Sequence, residues 1–205
     1  MMGYESLVEV FINEPHVRSD RESLDLFGPV EVFGRTKDAG MHYISMDGGT
    51  ITSAQGAKIL TEKASWLPGG SVLLIPGGFG TRTLIGDSTF LELVRTLCDS
   101  AAYVLSVCTG SALLAAAGVL SGIRATSNKD AFEWVRSTGD AEWVGRARWV
   151  HDGRFYTSSG VSAGIDMALG FVEEHYGTQE AELNAKRAEY IWNRDADNDP
   201  FAREA

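Results

Sequence analysis

The chain has 205 residues, of which 44% are hydrophobic and 22% charged, so it can bury a substantial core without disulfide or metal staples. Its net charge of −10, with no run of Lys and Arg, excludes non-specific nucleic-acid binding and attraction to an anionic membrane surface. Two cysteines exclude a secreted disulfide framework, and the absence of a signal-peptide pattern or a long apolar run leads us to expect a cytoplasmic protein.

Strand patterns alternate with helical patterns along the chain. The predicted strands are residues 7–12, 42–46, 71–76, 101–107 and a hairpin of 147–150 with 154–158. The predicted helices are a short one with Pro29 in its first turn, one capped by Asp87 or Ser88, and residues 109–117, 130–136, 161–176 and 179–192. Alternating elements of this kind predict parallel β-α-β units.

The predicted fold class is therefore α/β, with a doubly wound, mostly parallel sheet flanked by helices. We expect one domain over residues 1–205, with a core of about 5–177 and a C-terminal helix and acidic tail over 178–205. Ligands of such sheets bind beyond the carboxyl ends of the strands. That rule selects two turns, the one at Gly77-Gly78 and the one at Cys108.

The turn at Cys108 joins the predicted strand 101–107 to the predicted helix 109–117. Small residues at 110–112 let the helix pack closely on the strand, which is the pattern of a nucleophile elbow. Because a helix N-terminus favours negative charge, we expect a lowered pKa for this thiol. The alternative is a buried structural cysteine, which is how we interpret Cys98, since it lacks a glycine-rich turn.

Four further stretches match the motifs of a known superfamily. They are LDLFGPVEVF from Leu24, LIPGG from Leu74, SVCTG from Ser106 with AAGVL from Ala116, and SGVSAGID from Ser159. In these motifs the chain resembles the ThiJ/PfpI superfamily, whose flavodoxin-like fold is akin to that of class I glutamine amidotransferases. The resemblance covers about residues 5–177. It is nearest to the isonitrile hydratase branch, which pairs an Asp in a D-L-x-G-P segment with a Cys-Thr elbow; the protease branch has His after the Cys.

The resemblance implies a role for each matching residue. Cys108 is the implied nucleophile, and Asp25 the residue that hydrogen-bonds the thiol and carries its proton. Gly77, Gly78 and Thr109 are the implied anion-stabilising and substrate-binding positions, acting through backbone N–H groups, and the Thr109 hydroxyl holds water or substrate. From the residues alone, Asp25 has an alternative role as the cap of the helix that contains the following proline.

The implied reaction is hydration of a small isonitrile to an N-substituted formamide through a thioimidate on the cysteine, with no cofactor and no metal. The resemblance also implies a small-molecule substrate and a homodimer, since relatives of this kind usually form homodimers. The alternatives are an amidase or glyoxalase-type member, or a non-catalytic binding, redox-sensing or stress-protective protein of the same fold. The acidic C-terminal part argues against a DNA-binding regulator.

Other signals carry less weight. The glycines after Pro76 lack the third glycine of a dinucleotide fingerprint and the Gly-Lys ending of a P-loop. Asp195, Asp197 and Asp199 alternate like a calcium loop, but Pro200 stands where that loop needs Gly, so we expect a solvated tail. In the hydratase branch such tails carry an acid near the site, which makes Asp199 a helper candidate.

Two features bear on the surroundings of the site. His151 and His175 are the late histidines of the chain, and we expect neither to complete a glutaminase-like triad. The loop from Asn13 to Ser23 is longer and more charged than the family pattern, so we expect it to reshape the mouth of the site.

Overall fold

The computed structural model describes residues 6–11 and 22–202. Its strands are β1 (Ser6–Phe11), β2 (Ala39–Ser45), β3 (Gly49–Thr52), β4 (Lys58–Lys63), β5 (Val72–Ile75), β6 (Tyr103–Val107), β7 (Arg124–Ala125), β8 (Glu142–Trp143), β9 (Trp149–Asp152) and β10 (Phe155–Ser158). Its helices are α1 (Ser23–Arg35), α2 (Thr81–Leu84), α3 (Ser88–Ser100), α4 (Gly110–Ala116), α5 (Phe132–Arg136), α6 (Ala163–Tyr176) and α7 (Thr178–Arg187).

Eight strands form one sheet in the order β3-β4-β2-β1-β5-β6-β10-β9, and β7 pairs with β8 separately. The inner neighbours are parallel, whereas the two edge pairs, β3 with β4 and β9 with β10, are antiparallel. β2 lies on one side of β1 and β5 on the other, so the direction in which successive strands join the sheet reverses at β1. At such a switch point the carboxyl ends of β1, β5, β6 and β10 meet at one edge.

Both faces of the sheet are covered, which explains why the central strands are continuously apolar. One core layer packs α1, α6 and α7 against the sheet through residues such as Phe33, Met167 and Phe171. The other packs α3 and α4 against the opposite face through residues such as Phe90, Val94 and Leu113. The doubly wound, flavodoxin-like class is confirmed.

Most predicted elements are confirmed, with shifted ends. Asp87 caps α3 as predicted, since its side chain accepts hydrogen bonds from the N–H groups of Thr89 and Phe90. The prediction for Pro29 was wrong: α1 begins six residues earlier, at Ser23, and the proline lies inside the helix. The helix predicted over 179–192 ends at Arg187. Five short elements, β3, β4, β7, β8 and α2, were not predicted.

Within the described ranges, no helix has the length and apolar character needed to cross a bilayer. The loop from Asn13 to Ser23 lies outside the described residues except for its last two positions, so its expected effect on the site stays a prediction.

Candidate active site

Cys108 lies directly after β6, in a turn that is strained and firmly held. Its φ is 58°, which is uncommon for a residue other than glycine. The N–H of Cys108 donates to the carbonyls of Ser158 and Ser159 at 3.2 and 3.1 Å. Its carbonyl accepts from the hydroxyls of Ser111 and Ser127 at 3.1 and 2.8 Å. Strain of this kind persists only where the surroundings over-determine it, and it concentrates at functional sites.

The turn after β5 approaches this elbow so closely that only glycine fits. A Cβ on Gly77 would lie 2.6 Å from the Thr109 nitrogen. The Gly78 N–H donates to the Thr109 hydroxyl oxygen at 2.9 Å, and that hydroxyl donates to the Gly78 carbonyl at 3.0 Å. The Gly78 N–H, which we expected to be a donor open to a substrate anion, is therefore already paired.

Asp25 lies in the first turn of α1, where its side chain is fully buried. Its Oδ1 accepts from the Val161 N–H at 3.0 Å. Its Oδ2 has no hydrogen-bond partner of ordinary geometry among the described residues, and the carboxyl group interacts with the Cys108 thiol and the Gly77 N–H. The side chain thus faces the thiol and does not cap the helix; the residue at the cap position is Glu22.

The two side chains share a buried environment that favours protonation. Burial raises the pKa of Asp25 to about 7, although its interactions with the Cys108 thiol and the Val161 N–H lower it. Burial also raises the pKa of the Cys108 thiol well above its ordinary value, and the negative charge of Asp25 raises it further. The N–H and hydroxyl of Thr109 offset only part of this.

The expectation of a lowered thiol pKa was therefore wrong for the resting site. Helix α4 has only seven residues, and Cys108 is 7% exposed, so burial outweighs the charge of the helix end. Both shifts favour the protonated forms of the two groups at rest. A carboxyl group that interacts with a thiol in this way is placed to exchange a proton with it.

A cavity of about 500 Å³ opens beside the thiol. Its walls come from α1 and the turn near residue 54, from the turns after β5 and β6, and from the segments at 128–131 and 161. The lining residues are Glu22, Ala54, Gln55, Gly78, Phe79, Arg82, Cys108, Thr109, Asn128, Asp130, Ala131 and Val161. A second cavity of about 360 Å³ shares Asn128, Asp130 and Val161 with it. The first is of the size that holds a small organic molecule.

The segment from Ser159 to Ser162 is the part of the site whose role sequence reasoning missed. Val161 has a φ of 54°, and this β-branched residue is a backbone outlier that holds Asp25 through its N–H. A Cβ on Gly160 would overlap the Asn128 side-chain amide. The SGVSAGID stretch signalled the family, but nothing in it distinguishes a carboxylate-holding turn from an ordinary helix start.

Asp199 does not contact Cys108 among the described contacts. It is 3% exposed and lies 3.5 Å from the Arg148 guanidinium, which also pairs with the buried Asp166 and donates to the Ser162 hydroxyl at 3.3 Å. The expectation of a solvated tail is wrong for Asp199, since this residue packs against Arg148, whose guanidinium also contacts Ser162 in the 159–162 segment. Asp195 and Asp197 are exposed as expected.

The described histidines lie away from the thiol. His42 bridges Glu9 and Glu62, while His151 and His175 flank Tyr156. Tyr156 lies in β10, opposite His151 of β9 and two residues before Ser158. Within residues 6–11 and 22–202, no group of three His, Cys, Asp or Glu is arranged to hold a metal ion.

The sequence profile of the DJ-1/PfpI family matches residues 16–174, more than three quarters of the chain. The chain belongs to the DJ-1/PfpI family. This confirms the ThiJ/PfpI resemblance, and it places the family's matched region over the strand ends and turns that build the Cys108 site.

Several DJ-1/PfpI relatives are similar over most of the chain. An isonitrile hydratase from Pseudomonas putida is 35% identical over 170 residues, which are 82% of this chain and 74% of the hydratase. The HTH-type transcriptional regulator CdhR from Pseudomonas aeruginosa is 28% identical over 139 residues, 67% of this chain but 41% of the regulator. A ThiJ/PfpI protein from Pseudomonas syringae has a solved structure with a TM-score of 0.75 and 28% identity, over 96% of this chain and 77% of that one.

Proposed function

We propose that this protein is a cysteine-dependent enzyme that hydrates an isonitrile to an N-substituted formamide. The observation that carries the proposal is the buried pair of Cys108 and Asp25, a nucleophile and a proton carrier in direct interaction beside a cavity. The similarity to an isonitrile hydratase supports the same reaction. Hydration of an isonitrile needs these two functions together with water.

The first step joins sulfur to the isonitrile carbon. Asp25 accepts the thiol proton as the Cys108 sulfur attacks, and it then delivers that proton to the same carbon. The product is a thioimidate, R–N=CH–S–Cys, and no proton is gained or lost overall. A carboxyl group with a pKa of about 7 suits both halves of this transfer near neutral pH.

The second step adds water to the thioimidate carbon. Asp25 accepts a proton from the water and delivers it to the nitrogen, which gives a tetrahedral R–NH–CH(OH)–S–Cys species and leaves Asp25 ionised again. The C–S bond then breaks, the hydroxyl proton returns to sulfur through Asp25, and the formamide R–NH–CHO leaves. One water is consumed, and the thiol is regenerated.

The remaining site residues position this pair. The Thr109 N–H interacts with the Cys108 sulfur, while the Thr109 hydroxyl is available to water only if it releases the Gly78 carbonyl. The Gly77 N–H interacts with the Asp25 carboxylate as a donor. We assign Asp199 an indirect role, in which it fixes Arg148 behind the turn that holds Asp25.

The redox-sensing alternative fits this site less well. Peroxide reacts with the thiolate, and redox-sensor cysteines combine a low pKa with solvent access. Cys108 has the opposite properties, a raised pKa and 7% exposure. A protonated thiol beside a carboxyl group instead favours a reaction in which the substrate itself triggers the proton transfer.

The test is turnover of a neutral aryl isonitrile by the wild-type protein and by Asp25→Asn, followed by NMR detection of the formamide. We expect turnover in the wild type and a loss of about 100-fold or more in the variant, which keeps the thiol but has no proton carrier. In the same variant, iodoacetamide should alkylate Cys108 faster at alkaline pH, because removing the Asp25 charge lowers the thiol pKa.

Asp99→Asn is the matched control, since Asp99 is an exposed acid next to the other cysteine. It should leave turnover unchanged. Wild-type protein that forms no formamide, or full activity in Asp25→Asn, would contradict the proposal.

A further inference from the structure

The cavity beside Cys108 is much larger than an isonitrile group, which has only two atoms. At about 500 Å³ it has room for a sizeable substituent on the reacting nitrogen. If the proposed hydration is correct, the walls beyond the thiol therefore select the substituent. Two of the residues that form them, Phe79 and Arg82, are an aromatic ring and a cation.

The Arg82 side chain is held by aromatic rings. Its guanidinium carbon lies 4.8 Å from the ring centre of Phe79 and 4.4 Å from that of Trp134. Both contacts are made through the faces of rings, as in cation–π pairs. Rings bind the charge without accepting its N–H groups in conventional hydrogen bonds, so the orientation is fixed while the donors stay available.

No acid neutralises Arg82 within residues 6–11 and 22–202. Its guanidinium has no ion pair and no hydrogen bond there, whereas exposed Arg35 and Arg136 each pair with a glutamate of their own helix. A guanidinium with open donors at the wall of a cavity is suited to bind a carboxylate, since its planar fork matches two oxygens. The ring of Phe79 is 67% exposed and offers an apolar face next to that position.

The other charges in the cavity limit where an anion fits. Glu22 and Asp130 also line it, and Glu22 accepts from the Gln55 amide at 3.2 Å. Their negative charge disfavours an anionic group near them and a second anionic group anywhere in the cavity. A single carboxylate is thus accommodated at the Arg82 corner.

We propose that Arg82 is a substrate-recognition residue that binds a carboxylate on the substituent of the substrate. The substrate class, which rests on the proposed hydration, is an isonitrile whose planar or apolar substituent lies against Phe79 and ends in one carboxylate. The electrostatic part of this inference can be tested on the thiol alone, without any isonitrile.

The experiment compares alkylation of Cys108 by 4-(bromomethyl)benzoate and by the uncharged 4-(bromomethyl)benzamide. In each reaction the sulfur bonds to the benzylic carbon, bromide leaves, and the thiol proton is released. Peptide mass spectrometry locates the adduct, and rates with free cysteine correct for the intrinsic reactivity of each reagent. The measured quantity is the ratio of the corrected rates, benzoate over benzamide.

Arg82 is exposed, so we expect Arg82→Gln to lower this ratio about fivefold, which corresponds to about 1 kcal/mol, the upper end for an exposed charge pair. Arg82→Lys should retain part of the ratio, because it keeps the charge and loses the planar fork. Glu22→Gln should raise the ratio. Arg35→Gln removes the same charge far from the cavity and should leave the ratio unchanged.

If Arg82→Gln leaves both rates unchanged, or lowers both rates by the same factor, the ratio is unchanged and the recognition role is overturned. The outcome is separate from the hydration test: a wild-type protein without isonitrile turnover fails the proposed function, yet its alkylation ratio still reports on Arg82. If both hold, 4-isocyanobenzoate should exceed phenyl isocyanide in kcat/KM, and Arg82→Gln should remove most of that preference.

Discussion

The two cysteines of this chain are alike in burial and differ in almost everything else. Cys98 is fully buried in the last turn of α3, and burial raises its pKa to about 12. Cys108 is also buried with a raised pKa, but it has a strained backbone, a carboxyl partner and a cavity beside it. Burial and the direction of the pKa shift therefore do not distinguish the two cysteines, whereas the carboxyl partner and the cavity do.

The largest expected effect tests that contrast directly. Cys108→Ala should abolish isonitrile hydration, a fall of about 1000-fold or more, because the nucleophile is lost. Cys98→Ala should keep turnover within about threefold and lower the free energy of unfolding by about 1 kcal/mol, the cost of a small buried cavity. Steady-state kinetics and urea denaturation measure the two quantities, and similar turnover in both variants would remove the distinction.

The next effect concerns the carboxyl group that Cys98 lacks. Asp25 ionises near 3.8 when unfolded and near 7 when folded, so the folded protein retains a proton that the unfolded chain releases between those values. Its contribution to stability therefore falls as pH rises through this window. Asp25→Asn removes the titration, and its stability relative to wild type should rise with pH by an amount of the order of 3 kcal/mol.

Urea denaturation between about pH 5 and about pH 8.5 measures this difference. Asp87→Asn, at the exposed N-cap of the helix that carries Cys98, is the control; asparagine caps a helix as well as aspartate does, so it should show no such trend. A flat difference for Asp25→Asn would mean that its carboxyl group is not held in a desolvated state.

The smallest effect concerns backbone strain. Val161→Gly removes a side chain from a position with φ 54°, and the relief offsets the entropy that glycine adds to the unfolded chain, so stability should hold or rise by up to about 1 kcal/mol. Thr96→Gly, a β-branched and exposed site in the regular helix beside Cys98, should be destabilised by about 0.5 kcal/mol. Thermal denaturation compares them; equal losses would argue against strain at Val161.

The sequence predicted those parts of the site that depend on local patterns. The apolar strand running into Cys108 and the small residues after it predicted the turn, and alternating elements predicted the fold. The pairing of this turn with Asp25 came from the family resemblance, since spacing alone places the two residues 83 positions apart.

The predictions that failed concern properties set by packing between residues far apart in the sequence. The thiol pKa is set by burial under α1, α6 and the 159–162 segment, which no local motif encodes. Pro29 suggested a helix start, yet it lies in the middle of α1, where it lacks the N–H that would complete an intrahelical hydrogen bond. The Gly78 N–H is claimed by Thr109, and Asp199 by Arg148, through contacts that the order of residues does not reveal.

The shared proton of Cys108 and Asp25 also shapes how the protein meets other chemicals. Soft metal ions and thiol poisons bind the anionic sulfur, and peroxide reacts with it, but burial and the adjacent carboxylate both disfavour that form of Cys108. In the proposed reaction, the sulfur becomes nucleophilic only as a bound electrophile reacts and Asp25 takes up the thiol proton. Protection of the thiol from these side reactions is then a property of the empty site, present before any substrate binds.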